Sequence, residues 1–145
     1  MTKVNEKLNF KMITRLTNPE PLSTKELERL KRDISKLQVN TLDMYLFSIE
    51  GGKYEITDYL VEHGFDVNRL HPEWIASRII DEDIESIKRF IKDGLRINKK
   101  FLDRIKKILS DPENDYEDEY LQYLQEIYDN KQLRLKIKRV KKNIK

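Results

Sequence analysis

A repeat opens at Gly52-Lys-Tyr-Glu-Ile-Thr-Asp-Tyr-Leu-Val-Glu-His-Gly-Phe-Asp-Val-Asn68 and returns thirty residues later as Glu82-Asp-Ile-Glu-Ser-Ile-Lys-Arg-Phe-Ile-Lys-Asp-Gly-Leu-Arg-Ile-Asn98. At this offset Gly64 falls on Gly94 and Asn68 on Asn98. Apolar positions also align: Leu60 with Phe90, Val61 with Ile91, Val67 with Ile97, Tyr45 with Ile75 and Ile105, and Ile49 with Ile79 and Leu109. Such a period indicates a unit that buries its apolar face against neighbouring copies.

Each unit is predicted to be a helix pair. Leu42, Tyr45, Leu46 and Ile49 recur at helical spacing, the turn Gly51-Gly52 follows, and a second helix carries Ile56, Tyr59 and Leu60. Gly64 and Gly94 stand where a helix ends in the left-handed conformation. Phe65 and Val67 are expected in an extended segment that returns to the core, and Pro72 suits a first helical turn. The third unit is interrupted after Ser110.

The flanking segments predict further helices. Ser23-Thr-Lys-Glu26 is a capping box before an apolar face of Leu27, Leu30, Ile34 and Leu37. Residues 4–16 fit a helix (Leu8, Met12, Leu16) or a strand (Leu8, Phe10, Met12). After a loop at 111–115, one helix carries Tyr116, Tyr120, Tyr123 and Ile127. The apolar residues of the tail, Leu133, Ile137, Val140 and Ile144, are spaced four, three and four apart, as in an amphipathic helix.

The segment Gly52–Asn68 resembles the second half of an ankyrin repeat. The matching residues are Gly52, Glu55, Ile56, Leu60, Gly64, Asp66, Val67 and Asn68. The resemblance implies an all-α fold of stacked antiparallel helix pairs, an ankyrin-like solenoid, with flanking N- and C-terminal helices. The period of thirty, against about 33 in the family, shortens the loop after Asn68, where ankyrin proteins project a finger. We expect a single domain, 1–145, with an N-terminal segment and capping helix at 1–40, repeats at 41–130 and a basic helix or tail at 131–145.

Composition excludes several classes of site. The chain has no cysteine and only two histidines, His63 and His71, so neither a thiolate centre nor a zinc site is expected. We expect His63 to be a solvated surface residue. Carboxylates such as Asp81, Glu82 and Asp83 are expected to be solvated, and no phosphate loop or nucleophile motif occurs. We therefore expect neither an enzyme nor a cofactor. No stretch approaches the about 18 apolar residues of a membrane helix, which predicts a cytoplasmic protein without a membrane span.

Charge is concentrated in the last quarter of the chain. Residues 109–130 contain eight acids and no base, namely Asp111, Glu113, Asp115, Glu117, Asp118, Glu119, Glu126 and Asp129, whereas 131–145 contain eight bases and no acid. Before Leu109 the charges sum to +3 and read as well mixed. The basic tail admits three interpretations: it binds phosphates, it contacts an acidic protein or anionic membrane surface, or it is a terminal capping helix with its apolar stripe turned inward.

These features favour a non-enzymatic protein–protein interaction module, an adaptor or inhibitor that docks a partner protein along its helical stack. The candidate contact residues are Trp74, Arg69, His71, Arg78, Lys138, Arg139, Lys141 and Lys142. Trp74 stands out because tryptophan is enriched at binding hot spots. The alternative is a role linked to nucleic acid. In that case the basic tail binds it, or the acidic helix mimics it, as in inhibitors of the phage or mobile-element type.

Overall fold

The described residues, 4–36, 39–116 and 118–143 of a computed structural model, form eight α-helices and one short 3-10 helix and include no strand. This confirms the all-α prediction. The helices are α1 (Glu6–Thr17), α2 (Thr24–Lys36), α3 (Thr41–Glu50), α4 (Tyr54–Glu62), α5 (Pro72–Ile80), α6 (Ile84–Lys92), α7 (Lys99–Leu109) and α8 (Asp118–Asn143), with the 3-10 helix at Val67–Arg69. Leu37, Glu117 and Ile144, which figure in the sequence patterns, lie outside the described residues.

The helices fall into two compact units, Met1–Arg69 (unit 1) and Leu70–Lys145 (unit 2). In unit 1, α1 packs on α3, and α4 packs on both α2 and α3. In unit 2, α7 packs on α5 and α8, and α6 packs on α5. The boundary between the units follows the 3-10 helix, in the loop that separates the first repeated helix pair from the second.

Both helices of the first pair end in the same hydrogen-bonded turn, and the second pair repeats these turns thirty residues later. In each turn, one backbone N–H bonds back three residues and the next bonds back five, the pattern of a Schellman motif. The first helices end with Gly52 to Ile49 (3.1 Å), Lys53 to Ser48 (2.7 Å), Glu82 to Ile79 (3.1 Å) and Asp83 to Arg78 (2.8 Å). The second helices end with Gly64 to Val61 (3.1 Å), Phe65 to Leu60 (3.0 Å), Gly94 to Ile91 (3.1 Å) and Leu95 to Phe90 (2.9 Å).

This turn explains why the repeat is interrupted after α7. The motif needs a residue with positive φ, which is Gly52 (φ 69°) after α3 and Glu82 (φ 58°) after α5. The residue thirty positions further on is Pro112. Proline has a φ fixed near −65° and no N–H, so it can make neither the conformation nor the hydrogen bond. The chain therefore leaves α7 through a loop instead of turning into another short helix.

Most of the aligned apolar positions form the cores of the units, as the sequence predicts, whereas the aligned Val61 and Ile91 are only half-buried. At most 6% of the surface of each buried side chain is exposed, a set that comprises Tyr45, Ile75, Ile105, Ile49, Ile79, Leu109, Leu60, Phe90, Val67 and Ile97. One local expectation is wrong. Val67 is buried, but it begins a 3-10 helix and does not lie in an extended segment. The Asp66 carboxylate accepts the Asn68 N–H at 2.9 Å and favours this tight turn.

The first helix resolves the alternative left open by the sequence. Residues 6–17 are helical, with Asn9, Met12 and Leu16 buried and Phe10 exposed. The Asn9 side chain fixes which face of the helix is buried. Its amide nitrogen donates to the Asp43 carboxylate (3.0 Å), and its amide oxygen accepts the Asn40 backbone N–H (2.8 Å). The capping box before α2 is also present. The Ser23 hydroxyl accepts the Glu26 N–H at 3.2 Å and donates to the Glu26 carboxylate at 2.9 Å.

The C-terminal region differs from the expectation in three ways. One continuous helix, α8, runs across position 131, where the charge pattern suggests that a separate tail begins. Tyr116 precedes this helix. The tail's apolar residues also do not face inward, since Leu133, Ile137 and Val140 are all exposed. The interpretation of a capping helix with a buried stripe is therefore wrong for the described residues.

Candidate protein-docking surface

A groove of about 600 Å³ opens in unit 2 between the start of α5 and one face of α7. Its lining residues are Pro72, Asn98, Lys100, Phe101, Asp103, Arg104 and Lys107. Pro72 occupies the first turn of α5, as predicted, and the Asn98 side chain caps α7 by accepting the Phe101 N–H at 2.8 Å. Pro72 and Phe101 are half-buried and give the groove an apolar floor.

The rim of the groove is cationic because of how α7 is oriented. Leu102, Ile105 and Leu109 turn inward and are buried. The helical period then places Lys100, Arg104 and Lys107, spaced four and three residues apart, together on an outward face. This is a feature that sequence reasoning missed. The charge before Leu109 reads as mixed when averaged, yet α7 contains five cations and a single acid.

Within the described part of unit 2, ion pairs neutralise little of this positive charge. The one acid of α7, Asp103, pairs with Lys99 at 3.4 Å. Arg104 lies 3.8 Å from Glu73 in a pair that is more than half exposed, so the attraction is weak. Lys100 and Lys107 make no ion pair within the described part of the chain. An acidic group entering the groove would therefore meet two cations without displacing an internal partner.

Two predicted contact residues, His71 and Trp74, lie at the same end of α5. They flank Pro72 along the chain, and their rings meet edge to face with centroids 5.9 Å apart. His71 occupies the N-cap position, but its side chain makes no capping hydrogen bond and is exposed. Trp74 is half-buried, so part of its ring remains available to a partner.

Two other predicted residues, Arg78 and Arg69, do not line this groove. Arg78 lies 3.8 Å from Asp81 and 3.7 Å from Asp83, and it thereby braces the turn that contains Glu82. Arg69 belongs to unit 1, where its guanidinium stands 5.7 Å from the Phe65 ring and 3.4 Å from the Thr41 hydroxyl. There it lines a smaller depression of about 320 Å³. The structure thus does not gather the predicted residues into one site.

The remaining predicted contacts are the tail cations Lys138, Arg139, Lys141 and Lys142. All four are exposed on α8. The preceding acidic block is divided between the loop 111–115 and the first half of α8, so it does not form one helical surface. His63 is exposed, as expected, and the centroid of its ring lies 4.0 Å from the centroid of the Tyr59 ring.

No group of three or more metal-ligating side chains occurs among residues 4–36, 39–116 and 118–143. Within the same ranges, no helix is both long enough and apolar enough to cross a membrane. Asp83 has a local structural role, because its carboxylate accepts the Ser86 N–H at 3.1 Å and the Ser86 hydroxyl at 2.6 Å. Two of the three clustered acids, Asp81 and Asp83, are thus engaged with their neighbours in the turn and at the start of α6.

Comparison with known proteins adds no relative. No protein-family model, no curated protein and no solved structure matches this chain. The ankyrin-like resemblance therefore stays a prediction that rests on the residues of Gly52–Asn68 and on the repeat itself.

Proposed function

We propose that this chain is a non-enzymatic protein-interaction module that docks a partner protein at the groove between α5 and α7. The observation that carries the proposal is an apolar floor, made by Pro72 and Phe101, beside Lys100 and Lys107, which have no counter-ion among the described residues. Binding energy at interfaces concentrates where an apolar anchor enters a pocket and charged groups surround it. Trp74, at the same helix start, adds a residue type that is enriched at such points.

The partner segment that fits this groove combines an apolar side chain with neighbouring carboxylates. The apolar group would cover Phe101, and the carboxylates would reach Lys100 and Lys107. Complementary charge of this kind accelerates association and selects against basic partners. Because the rim is exposed to solvent, we expect its contribution to weaken as salt is added.

We further propose that the helix pairs stack in antiparallel fashion as an ankyrin-like solenoid. Support comes from the four Schellman turns that recur thirty residues apart, and from the packing of α1 on α3, of α2 on α4 and of α5 on α7. A single helix pair cannot bury its apolar face alone, and repeated packing between corresponding helices is the physical solution that repeat proteins use.

The proposal is tested by site-specific photo-crosslinking in extracts of the organism that makes the protein. A crosslinking residue replaces Lys100 in one variant and Lys25 in a control variant. Lys25 is likewise an exposed cation, on α2. We expect one discrete protein to be crosslinked by the variant at position 100, and we expect the variant at position 25 not to crosslink it. Crosslinking of the same species from both positions, or of nucleic acid from position 100, would contradict the proposal.

A further inference from the structure

In the C-terminal half of α8, three of the four exposed large apolar residues lie on the side of the helix opposite to the one that the first half buries. Leu124, in the first half, is fully buried. The next residue, Gln125, accepts a hydrogen bond from Lys106 of α7 at 2.7 Å, so this half of α8 contacts α7. Each residue advances a helix by about 100°, so Leu133, Ile137 and Val140 lie about 160–220° round the axis from Leu124. Their exposed fractions are 56%, 45% and 57%. The face that binds α7 therefore cannot cover this stripe.

The charged residues in the C-terminal half of α8 are all basic. Seven cations and no acid occur from Lys131 to Lys142, and none of the seven makes an ion pair within the described ranges. Three of them border the stripe. Lys136 lies about 60° from Leu133 on one side, while Lys141 and Arg134 lie about 80–100° from it on the other.

The spacing of the stripe is that of a coiled-coil seam. Steps of four and three residues place Leu133, Ile137 and Val140 at the d, a and d positions of a heptad. In this register the bordering cations Arg134, Lys136 and Lys141 fall at e, g and e, the positions whose charges select a coiled-coil partner. A narrow apolar seam edged by positive charge matches a helix with an apolar seam edged by negative charge.

We propose that the C-terminal half of α8 is a docking helix for an acidic amphipathic helix of another protein. The partner presents aliphatic residues at its seam and glutamate or aspartate at its flanking positions. This surface is distinct from the groove between α5 and α7, and binding at one of the two surfaces does not depend on binding at the other.

Other occupants fit less well. A second copy would bring like cations together at e and g. The acidic half of its α8 cannot replace the partner, because Glu119 and Glu126 occupy the d positions there. A bilayer surface favours a broad apolar face, whereas here cations stand within about 60–100° of a narrow stripe. Phosphate binding by nucleic acid leaves the exposed stripe without a role.

The test uses the full-length chain and a synthetic acidic helix of about three heptads, with isoleucine at a, leucine at d and glutamate at e and g. A second peptide has lysine at e and g. Binding is measured by fluorescence anisotropy for the wild type, for Ile137→Gln and for Leu135→Gln. Leu135 is the matched control, since it is also exposed (40%) but lies in line with Leu124 on the other side of the helix.

We expect the acidic peptide to bind the wild type and Leu135→Gln alike, and Ile137→Gln to weaken binding about tenfold, because a buried seam residue is lost. The lysine peptide should not bind. Equal weakening by both substitutions, or none by Ile137→Gln, would overturn the proposal, because the charge would then act without the seam. Absence of peptide binding would also overturn it, as would dependence on Ile137 seen only with phosphatidylserine vesicles, with single-stranded DNA or in self-association.

Discussion

Gly51 and Gly52 are neighbours in one turn, yet the structure requires glycine at each for a different reason. A Cβ added to Gly51 would lie 1.8 Å from the Leu16 carbonyl oxygen and 2.8 Å from its carbonyl carbon, which are backbone atoms of α1. A Cβ added to Gly52 would meet no atom within 4 Å, but its φ is +69°. Substitution by alanine therefore tests steric contact at one position and backbone strain at the other.

The expected costs differ because of these causes. In Gly51→Ala the last turn of α1 must retreat by more than about 1 Å, since Cβ contacts under 3.0 Å essentially do not occur. That shift loosens Met12 and Leu16, which are 2% and 0% exposed, so we expect a loss of about 3 kcal/mol or more in the free energy of unfolding. In Gly52→Ala the left-handed conformation alone costs about 1 kcal/mol.

The two variants can be compared by urea unfolding and by hydrogen exchange of the peptides that cover α1. Gly51→Ala should unfold at clearly lower urea and should accelerate exchange in residues 6–17. Gly52→Ala should shift the midpoint modestly and leave exchange in α1 close to that of the wild type. Equal costs for the two substitutions, or unchanged exchange of α1 in Gly51→Ala, would refute the close approach of α1 to this turn.

Three further substitutions test the repeat and its supports. Glu82→Gly should stabilise the protein by about 0.5–1 kcal/mol in urea unfolding, because it relieves the positive φ at 58°; a loss of stability would argue against that conformation. Lys53→Met should cost about 2–3 kcal/mol, because the buried ammonium donates to the carbonyls of Asn18 (2.6 Å) and Glu20 (2.9 Å); a neutral effect on the urea midpoint would contradict this anchoring. Asp93→Asn should cost about 3 kcal/mol, because it breaks a buried ion pair with Arg89 at 3.0 Å. The double variant Arg89→Tyr with Asp93→His copies Tyr59 and His63 at the equivalent positions of the first helix pair, so it should recover part of this loss in thermal unfolding. A double variant no more stable than Asp93→Asn would argue against equivalence of the two helix pairs.

The repeated helix pairs were predictable because local signals agree with the packing. Glycine at positions 52, 64 and 94 and the aligned apolar residues fix where helices end and which side is buried. For α1 the local signals conflict, since Leu8, Phe10 and Met12 also alternate as a strand would. The helix is set by contacts made elsewhere in the chain, in which Asn9 bonds to Asn40 and Asp43. Single-sequence periodicity does not contain that information.

The candidate surface was less predictable for a related reason. Trp74 and His71 stand out by residue type, whereas Lys100 and Lys107 become a rim only once Leu102 and Ile105 turn inward. Arg78 is of a residue type that is common at interfaces, but it lies beside Asp81 and Asp83 and pairs with these acids of the turn. The spacing of Leu133, Ile137 and Val140 predicted an amphipathic helix correctly. It did not reveal that this stripe faces away from the packed side of α8.

Docking at the groove is tested most directly by the affinity of the purified crosslinked protein for two charge-reversed variants. Lys100→Glu with Lys107→Glu reverses the rim, and Lys25→Glu with Arg32→Glu reverses two exposed cations at the same spacing on α2. Isothermal titration calorimetry at about 150 mM salt should show at least about a tenfold loss of affinity for the rim variant and wild-type affinity for the control. Equal affinity of both variants for the partner would contradict docking at this groove.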